Sequence, residues 1–325
     1  MKCIGKFLGG AIGAAILAAS SAAFAQTWPA KPVRMIVPFP PGATLDTMTR
    51  LVSQKVTEST GQPVVVENRA GANGMIGSEF VSKSAPDGYT ILATTTSTHI
   101  SAPYLVKKLP YDPRKDVTPI TAAVDAVTVL AVNPAMPVNS VRELVDYLKK
   151  YPGKVSYGSA GIGNAFHLVG EIFQSSQGVS LLHVPYKGII QAVQETASGQ
   201  VDMVFSSVNN VLPLMRGGKL RVLSTINPQR WSQLPDIPSA PETLPGFVRP
   251  DSWFGFLGPA NMSGPLLDRV NAELVKGLKS PDLTPKFDAM GLVVIANSAA
   301  DFQKMYTAGF DVYGKIIKAA GIQPE

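Results

Sequence analysis

Short β-branched runs alternate with amphipathic stretches along almost the whole 325-residue chain, and this alternation limits the folds open to it. Val33-Arg34-Met35-Ile36-Val37-Pro38-Phe39 reads as a strand. Residues 45–60 read as a helix, with Leu45, Met48, Leu51, Val52 and Val56 along one face. Strands at 64–66 and 89–95 follow, with a helix at 74–84 between them. The rhythm loosens between Thr96 and Pro119, where Pro103, Pro110 and Pro113 also accumulate, and resumes with a strand at 126–133. Ser140-Val141-Arg142-Glu143 is a capping box that opens the next helix. Strands at 155–159, 181–186, 201–205 and 220–225 then alternate with helices at 164–175 and 189–198. Six prolines within 227–251 mark an irregular connector, after which come a strand at 253–257 and helices at 265–278 and 301–320.

Near-continuous apolar strands between helices predict buried, mostly parallel sheets in an α/β protein. The last segment is mostly helical, which is explained if it returns to cover the first sheet. The expected organisation is therefore two α/β lobes. Residues 26–125 begin lobe 1, 126–250 form lobe 2, and 251–325 complete lobe 1.

The first 25 residues read as a secretory signal peptide, with Lys2 and Lys6 at its start, an apolar run over 7–19 and a small-residue cleavage site at Ala23-Phe24-Ala25. Cleavage there would leave 300 residues and lower the net charge from +6 to +4, because the leader carries two lysines and no acid. It would also remove Cys3, the only cysteine, so no disulfide, thiol nucleophile, iron–sulfur cluster or cysteine-ligated zinc is expected. With 45% hydrophobic and 16% charged residues the chain is not a disordered one. A charge of +4 with no basic run is a poor nucleic-acid footprint. The expectation is an exported, monomeric globular protein.

Three strand-to-helix junctions carry the candidate chemistry. The first is Pro38-Phe39-Pro40-Pro41-Gly42-Ala43-Thr44-Leu45-Asp46. Prolines stiffen its exit, Gly42 permits close approach, and a helix start leaves amides free to hold an anion. Asp46 reads primarily as a helix-start carboxylate. The second is Tyr157-Gly158-Ser159-Ala160-Gly161-Ile162-Gly163-Asn164, suited to gripping a carboxylate or phosphate through the amides of Ala160, Gly161 and Gly163 with Ser159 and Asn164. It lacks the Gly-Lys-Ser/Thr ending of a P-loop, and His167 lies one turn into its helix. The third is His183-Val184-Pro185-Tyr186-Lys187-Gly188, where Tyr186 offers a ring and hydroxyl and Lys187 a charge. Ser206, and Thr96 and Ser97 within the run that ends at His99, follow other strands and would crowd the same edge, since ligands of open α/β sheets bind outside the carboxyl ends of strands. Phe39, Tyr186 and Trp253 offer aromatic surface, although core packing serves equally well for Trp253.

Other readings fare worse. Gly71-Ala72-Asn73-Gly74-Met75-Ile76-Gly77 has the wrong glycine spacing for a dinucleotide loop, and no cofactor is expected. His99, His167 and His183 show no metal-ligand spacing, so no metal is expected. Ser159 with His167 imitates a nucleophile and base, but there is no GxSxG elbow. A secreted hydrolase stays open as the alternative.

Taken in order, Trp28-Pro29, the 38–46 junction, Val66-Glu67-Asn68-Arg69-Ala70-Gly71-Ala72, Ala85-Pro86-Asp87-Gly88-Tyr89, Leu109-Pro110-Tyr111-Asp112-Pro113, 158–167 and 183–188 resemble the solute-binding proteins of tripartite tricarboxylate transporters, the Bug-type periplasmic receptors. The resemblance implies a type II-like, two-lobed periplasmic-binding fold. It implies a receptor that closes on a small di-/tricarboxylate or aromatic acid and delivers it to membrane subunits. It also implies that the first and second junctions grip carboxylates by amides, hydroxyls and waters. A ligand-presenting partnership with a sensor kinase is a further alternative. One departure stands out: the family's first loop commonly has two glycines after the prolines, whereas Gly42 is followed by Ala43-Thr44.

Overall fold

The computed structural model describes residues 28–324, so the leader expected at 1–25 lies outside the described residues. Eleven strands among these residues form two sheets. One contains β1 (Val33–Val37), β2 (Val64–Asn68), β3 (Thr90–Thr95), β4 (Val117–Ala126), β10 (Trp253–Pro259) and β11 (Leu292–Val294), in the order β11-β4-β10-β3-β1-β2. The other contains β5 (Thr128–Val132), β6 (Ser156–Ser159), β7 (Leu182–Pro185), β8 (Met203–Ser207) and β9 (Arg221–Thr225), in the order β7-β6-β8-β5-β9. The main helices are α1 (Thr44–Thr60), α2 (Met75–Ser82), α3 (Val141–Lys150), α4 (Ala165–Gln177), α5 (Ile189–Ser198), α6 (Val208–Arg216), α7 (Gly264–Leu278) and α8 (Ala299–Ala319).

The continuous apolar strands are explained by cover on both faces. In β1, Val33, Met35 and Val37 point into a core shared with α1 and α7, while Ile36 points into another shared with α8. Along α8 the buried residues Phe302, Tyr306, Phe310, Tyr313 and Ile317 recur three or four apart, the spacing of one helical face. Burying side chains of this size contributes about 1.5–3 kcal/mol each. Leu168 of α4 joins the same cluster, so α8 packs against both sheets' surroundings.

The sheets are mixed rather than simply parallel. β1, β2, β3 and β4 run one way and β10 and β11 the other; in the second sheet only β5 runs against its neighbours. The stretch expected to be irregular before Pro119 holds a π-helical turn at Ser97–Ser101, a helical turn at Ala102–Leu105 and then the ten-residue β4. Pro119 is tolerated inside β4 because β11 pairs only with Val124–Ala126, and on the other side the register with β10 shifts between Phe256 and Leu257. β4 runs into β5 through Val127 alone, so the strand expected at 126–133 is found as β5, and the strand preceding it, in the other sheet, is the addition.

Strand direction places the exits. β10 sets Phe254 opposite Thr95 and Trp253 opposite Asp125, so the carboxyl ends of β3 and β4 lie level. β4 leads there into the second sheet, where Thr128 stands opposite Ser207 at the end of β8. The loops leaving β1 and β3 therefore face those leaving β6, β7 and β8 across an interlobe cleft. Leu105 reaches across it: a Cβ built on Gly163 would lie 2.7 Å from Leu105 Cδ2.

Candidate ligand-binding cleft

On the first-lobe side, α1 begins at an unusual cap. Ala43 occupies the N-cap in extended geometry (φ −63°, ψ 155°) with no side-chain acceptor to offer. The N–H groups of Thr44, Leu45 and Asp46 consequently have no acceptor among the described residues. Three free amides at the positive end of a 17-residue helix are an arrangement that can hold an anion. Asp46 does not compete for it. Its buried carboxylate accepts the Gly42 N–H at 2.9 Å, Asn68 Nδ2 at 2.8 Å and the Arg50 guanidinium at 3.0 Å. Burial alone would raise its pKa, but Arg50, the Gly42 amide and Asn68 together hold it below the usual range. Asp46 thus shapes the loop through these bonds, in keeping with a helix-start carboxylate. Gly42, with φ at +83°, spends its own amide on that carboxylate. Phe39 is half-buried beside Gly74, and its carbonyl accepts from Asn68.

The loop after β3 contributes less than expected. Thr96 is buried, and its hydroxyl bonds to the backbone N and O of Trp253. Ser97 is half-exposed with its hydroxyl unpartnered among the described residues. Trp253 is buried edge-on against Phe302 at 4.9 Å, so the packing reading holds for it.

Across the cleft, Asn164 caps α4 by accepting the Phe166 N–H at 2.9 Å, leaving the Ala165 amide free. The Ala160 and Ile162 amides are likewise without acceptors among the described residues. Gly161 donates to Ser159 Oγ at 3.1 Å and Gly163 donates to His167 Nδ1 at 2.9 Å. Ser159 and His167 are buried. Both brace the turn through these hydrogen bonds. Tyr186 is half-buried, Lys187 is exposed, and Ser206 is buried and accepts from Asn210.

Several participants were not foreseen. Ser159 Oγ lies 2.7 Å from His183 Nε2, and Tyr157 donates to Glu171 at 2.8 Å. The register Tyr157↔His183 between β6 and β7 brings these side chains to one face, a pairing that needs the strand order and not only the strand positions. Among the described residues, no three His, Cys, Asp or Glu groups are arranged to hold a metal ion, and no helix is long and apolar enough to cross a membrane. Two concavities lie outside the cleft, one of about 480 Å³ between α4 and α8 and one of about 590 Å³ beside the start of α3.

Two histidines, one buried and one half-buried, make stability depend on pH. His99 is fully buried, and burial pushes its pKa down to about 3. His183 is lowered to about 4, first by burial and then by His167. The folded chain keeps both neutral, whereas the unfolded chain takes up protons near pH ~6.5. Their stabilising contribution is present above that pH and is lost as the pH falls from about 6.5 toward 4 and below, mostly through His99, since His183 is partly exposed. The denaturation midpoint should be lower near pH ~4.5 than near pH ~7.5; equal midpoints would contradict this.

Comparison with known proteins agrees with this architecture. The model of the tripartite tricarboxylate transporter family receptor matches residues 48–322. Protein BugT of Bordetella pertussis is 35% identical over 269 residues, covering 82% of each chain. Among solved structures, R. palustris Rpa4515 with adipate is 31% identical with a TM-score of 0.77, covering 92% of this chain and 100% of that one. MatC from Rhodopseudomonas palustris with bound malate is 26% identical with a TM-score of 0.71, covering 89% and 100%. The chain belongs to the tripartite tricarboxylate transporter receptor family, a family of periplasmic solute-binding proteins.

Proposed function

We propose that the protein captures a small dicarboxylate in the interlobe cleft and delivers it to the membrane subunits of a tripartite transporter, after export through cleavage of the leader. One observation carries the reading: two helix starts, α1 and α4, present free amides from opposite lobes toward one cleft. Each can hold one carboxylate. The contacts on the first-lobe side would come from the amides of Thr44 and Leu45 with Phe39 and Ser97 nearby. Those on the second would come from Ala160, Ile162 and Ala165 with Asn164 and Tyr186 flanking. The adipate and malate of the related structures have two carboxylates each.

Neutral donors suit a carrier, which must release what it binds. Affinity in the micromolar range, about −8 kcal/mol, needs only a few charge-assisted hydrogen bonds. Burying a full ion pair would add a large desolvation cost. The hydrolase reading is weakened by Ser159, whose hydroxyl is fully buried and already accepts the Gly161 amide.

Adipate or malate at about 100 times its Kd should stabilise the protein by roughly 2.7 kcal/mol, read as a rise in thermal midpoint, with the acid recovered unchanged. No stabilisation by either acid, or turnover abolished in Ser159→Ala, would overturn the reading.

A further inference from the structure

The ligand loop of the second lobe is held from behind by a stacked pair of imidazoles. His167 and His183 lie face to face, with ring centroids 4.0 Å apart and planes within 8°. Tyr157 packs against His183 with ring centroids 4.8 Å apart. Each histidine reaches one glycine of the Gly161–Gly163 turn. His167 Nδ1 accepts the Gly163 N–H directly at 2.9 Å. His183 Nε2 contacts Ser159 Oγ at 2.7 Å, and that oxygen accepts the Gly161 N–H at 3.1 Å.

A nitrogen that accepts a hydrogen bond carries no proton, so the Gly163 contact exists only while Nδ1 of His167 is unprotonated. Adding that proton converts the acceptor into a donor aimed at another donor. Two imidazolium rings stacked at 4.0 Å would also repel across a buried contact. The surrounding charge is modest. Glu171 on α4 lies 3.5 Å from His167 Nε2, but its Oε1 also accepts from Tyr157 and Gln174. Lys315 of α8 lines the same crevice as Glu171. No other ionisable group is described in contact with the pair.

We propose that His167 and His183 are positioning residues for the ligand loop: their neutral stack holds the Gly161 and Gly163 amides back, so that the neighbouring free amides face the cleft, and protonation of His183 releases the turn and the ligand. This rests on the reading of that turn as part of the binding site. It adds a pH-dependence of affinity that originates in the protein and not in the ligand's own carboxylates. Burial beside His167 keeps His183 neutral well below the ordinary histidine range, so the loop holds at neutral pH and yields in acid.

The test compares wild type with the double variant His167→Asn, His183→Gln. Both replacement amides can make the same hydrogen bonds without titrating. Calorimetry with whichever of adipate and malate stabilises the protein more should show wild-type affinity falling from about pH 6.5 to about pH 3.5 by roughly fourfold more than in the double variant, a coupling near the low end of the usual range. Ligand protonation is common to both proteins and cancels. In parallel, the Gly161 and Gly163 amide resonances of ligand-free wild type should shift over the same interval, and those of the double variant should not. Equal pH profiles for the two proteins, or glycine resonances that stay fixed while His183 titrates, would overturn the proposal. Titrating glycine amides in a protein that binds neither acid would refute the ligand assignment while leaving the positioning role standing. A double variant that does not fold leaves the wild-type resonances to decide.

Discussion

Arg249→Met should destabilise the protein by about 3–5 kcal/mol, because it strands a buried carboxylate. Arg249 pairs with Asp125, and the two side chains are only 7% and 16% exposed. Asp125 is the last residue but one of β4, at the first crossing between the sheets, and Arg249 lies on the connection that returns. Asn227, at the start of that connection, donates to Asp125 Oδ2 at 2.9 Å and accepts the Thr128 N–H at 2.9 Å. One carboxylate thus ties both passages. The pair is not fully satisfied: Asp125 Oδ1 and Arg249 Nη1 have no partner among the described residues. It therefore adds little beyond what an apolar pair would, and the cost lies in removing one partner alone. Asp125→Leu combined with Arg249→Met should recover most of the loss. Burial raises the Asp125 pKa while Arg249 opposes the rise, so without Arg249 the neutral acid is favoured further. The defect of Arg249→Met should accordingly shrink as the pH falls. Urea denaturation of the two singles and the double at neutral and acid pH measures all of this. A single variant as stable as wild type would show that the ion pair does not bind the crossings together.

The second large effect is on affinity. Thr44→Pro and Ala165→Pro should each weaken dicarboxylate binding by about 1.5–3 kcal/mol, roughly 10- to 150-fold, with thermal midpoints close to wild type. Both residues are the first of their helices, where proline is favoured because the N–H has no helical partner. Proline also demands an extended residue before it, and Ala43 (φ −63°, ψ 155°) and Asn164 (φ −63°, ψ 154°) already comply. Each substitution therefore deletes one free amide and almost nothing else. Thr44→Ala separates the hydroxyl from the amide. Isothermal titration at neutral pH reads the change, and unchanged affinity in both proline variants would remove the amides from the site.

Local patterns in the sequence were enough for the two helix starts, for the strands that feed them and for the glycine turn between Ser159 and Asn164. A proline-stiffened exit and a capping asparagine act within a few residues of their own position. What escaped depended on which strand neighbours which. Pro119 discouraged a strand that forms because its neighbour stops short at Val124. Ser159 sits eight residues from His167 in the chain, yet its partner is His183, supplied by the parallel register of β6 and β7. Asp46 carries the marks of a site residue, but Arg50 and Asn68 occupy its carboxylate, and Asn68 comes from the end of β2. The same holds for Thr96, whose hydroxyl is taken by β10 from far along the chain. Residue type indicated the edge of the sheet where the chemistry gathers; the division between residues that face the cleft and residues that brace it came only with the pairing.

Free amides at two helix starts are the centre of this account, and an amide-resolved NMR titration with adipate and malate examines them directly. The resonances of Thr44, Leu45 and Asp46 in one lobe and of Ala160, Ile162 and Ala165 in the other should shift together on addition of the binding acid, as expected if one molecule spans the cleft. Shifts gathered instead around Glu171 and Lys315 in the crevice between α4 and α8, with the helix-start amides unmoved, would contradict it.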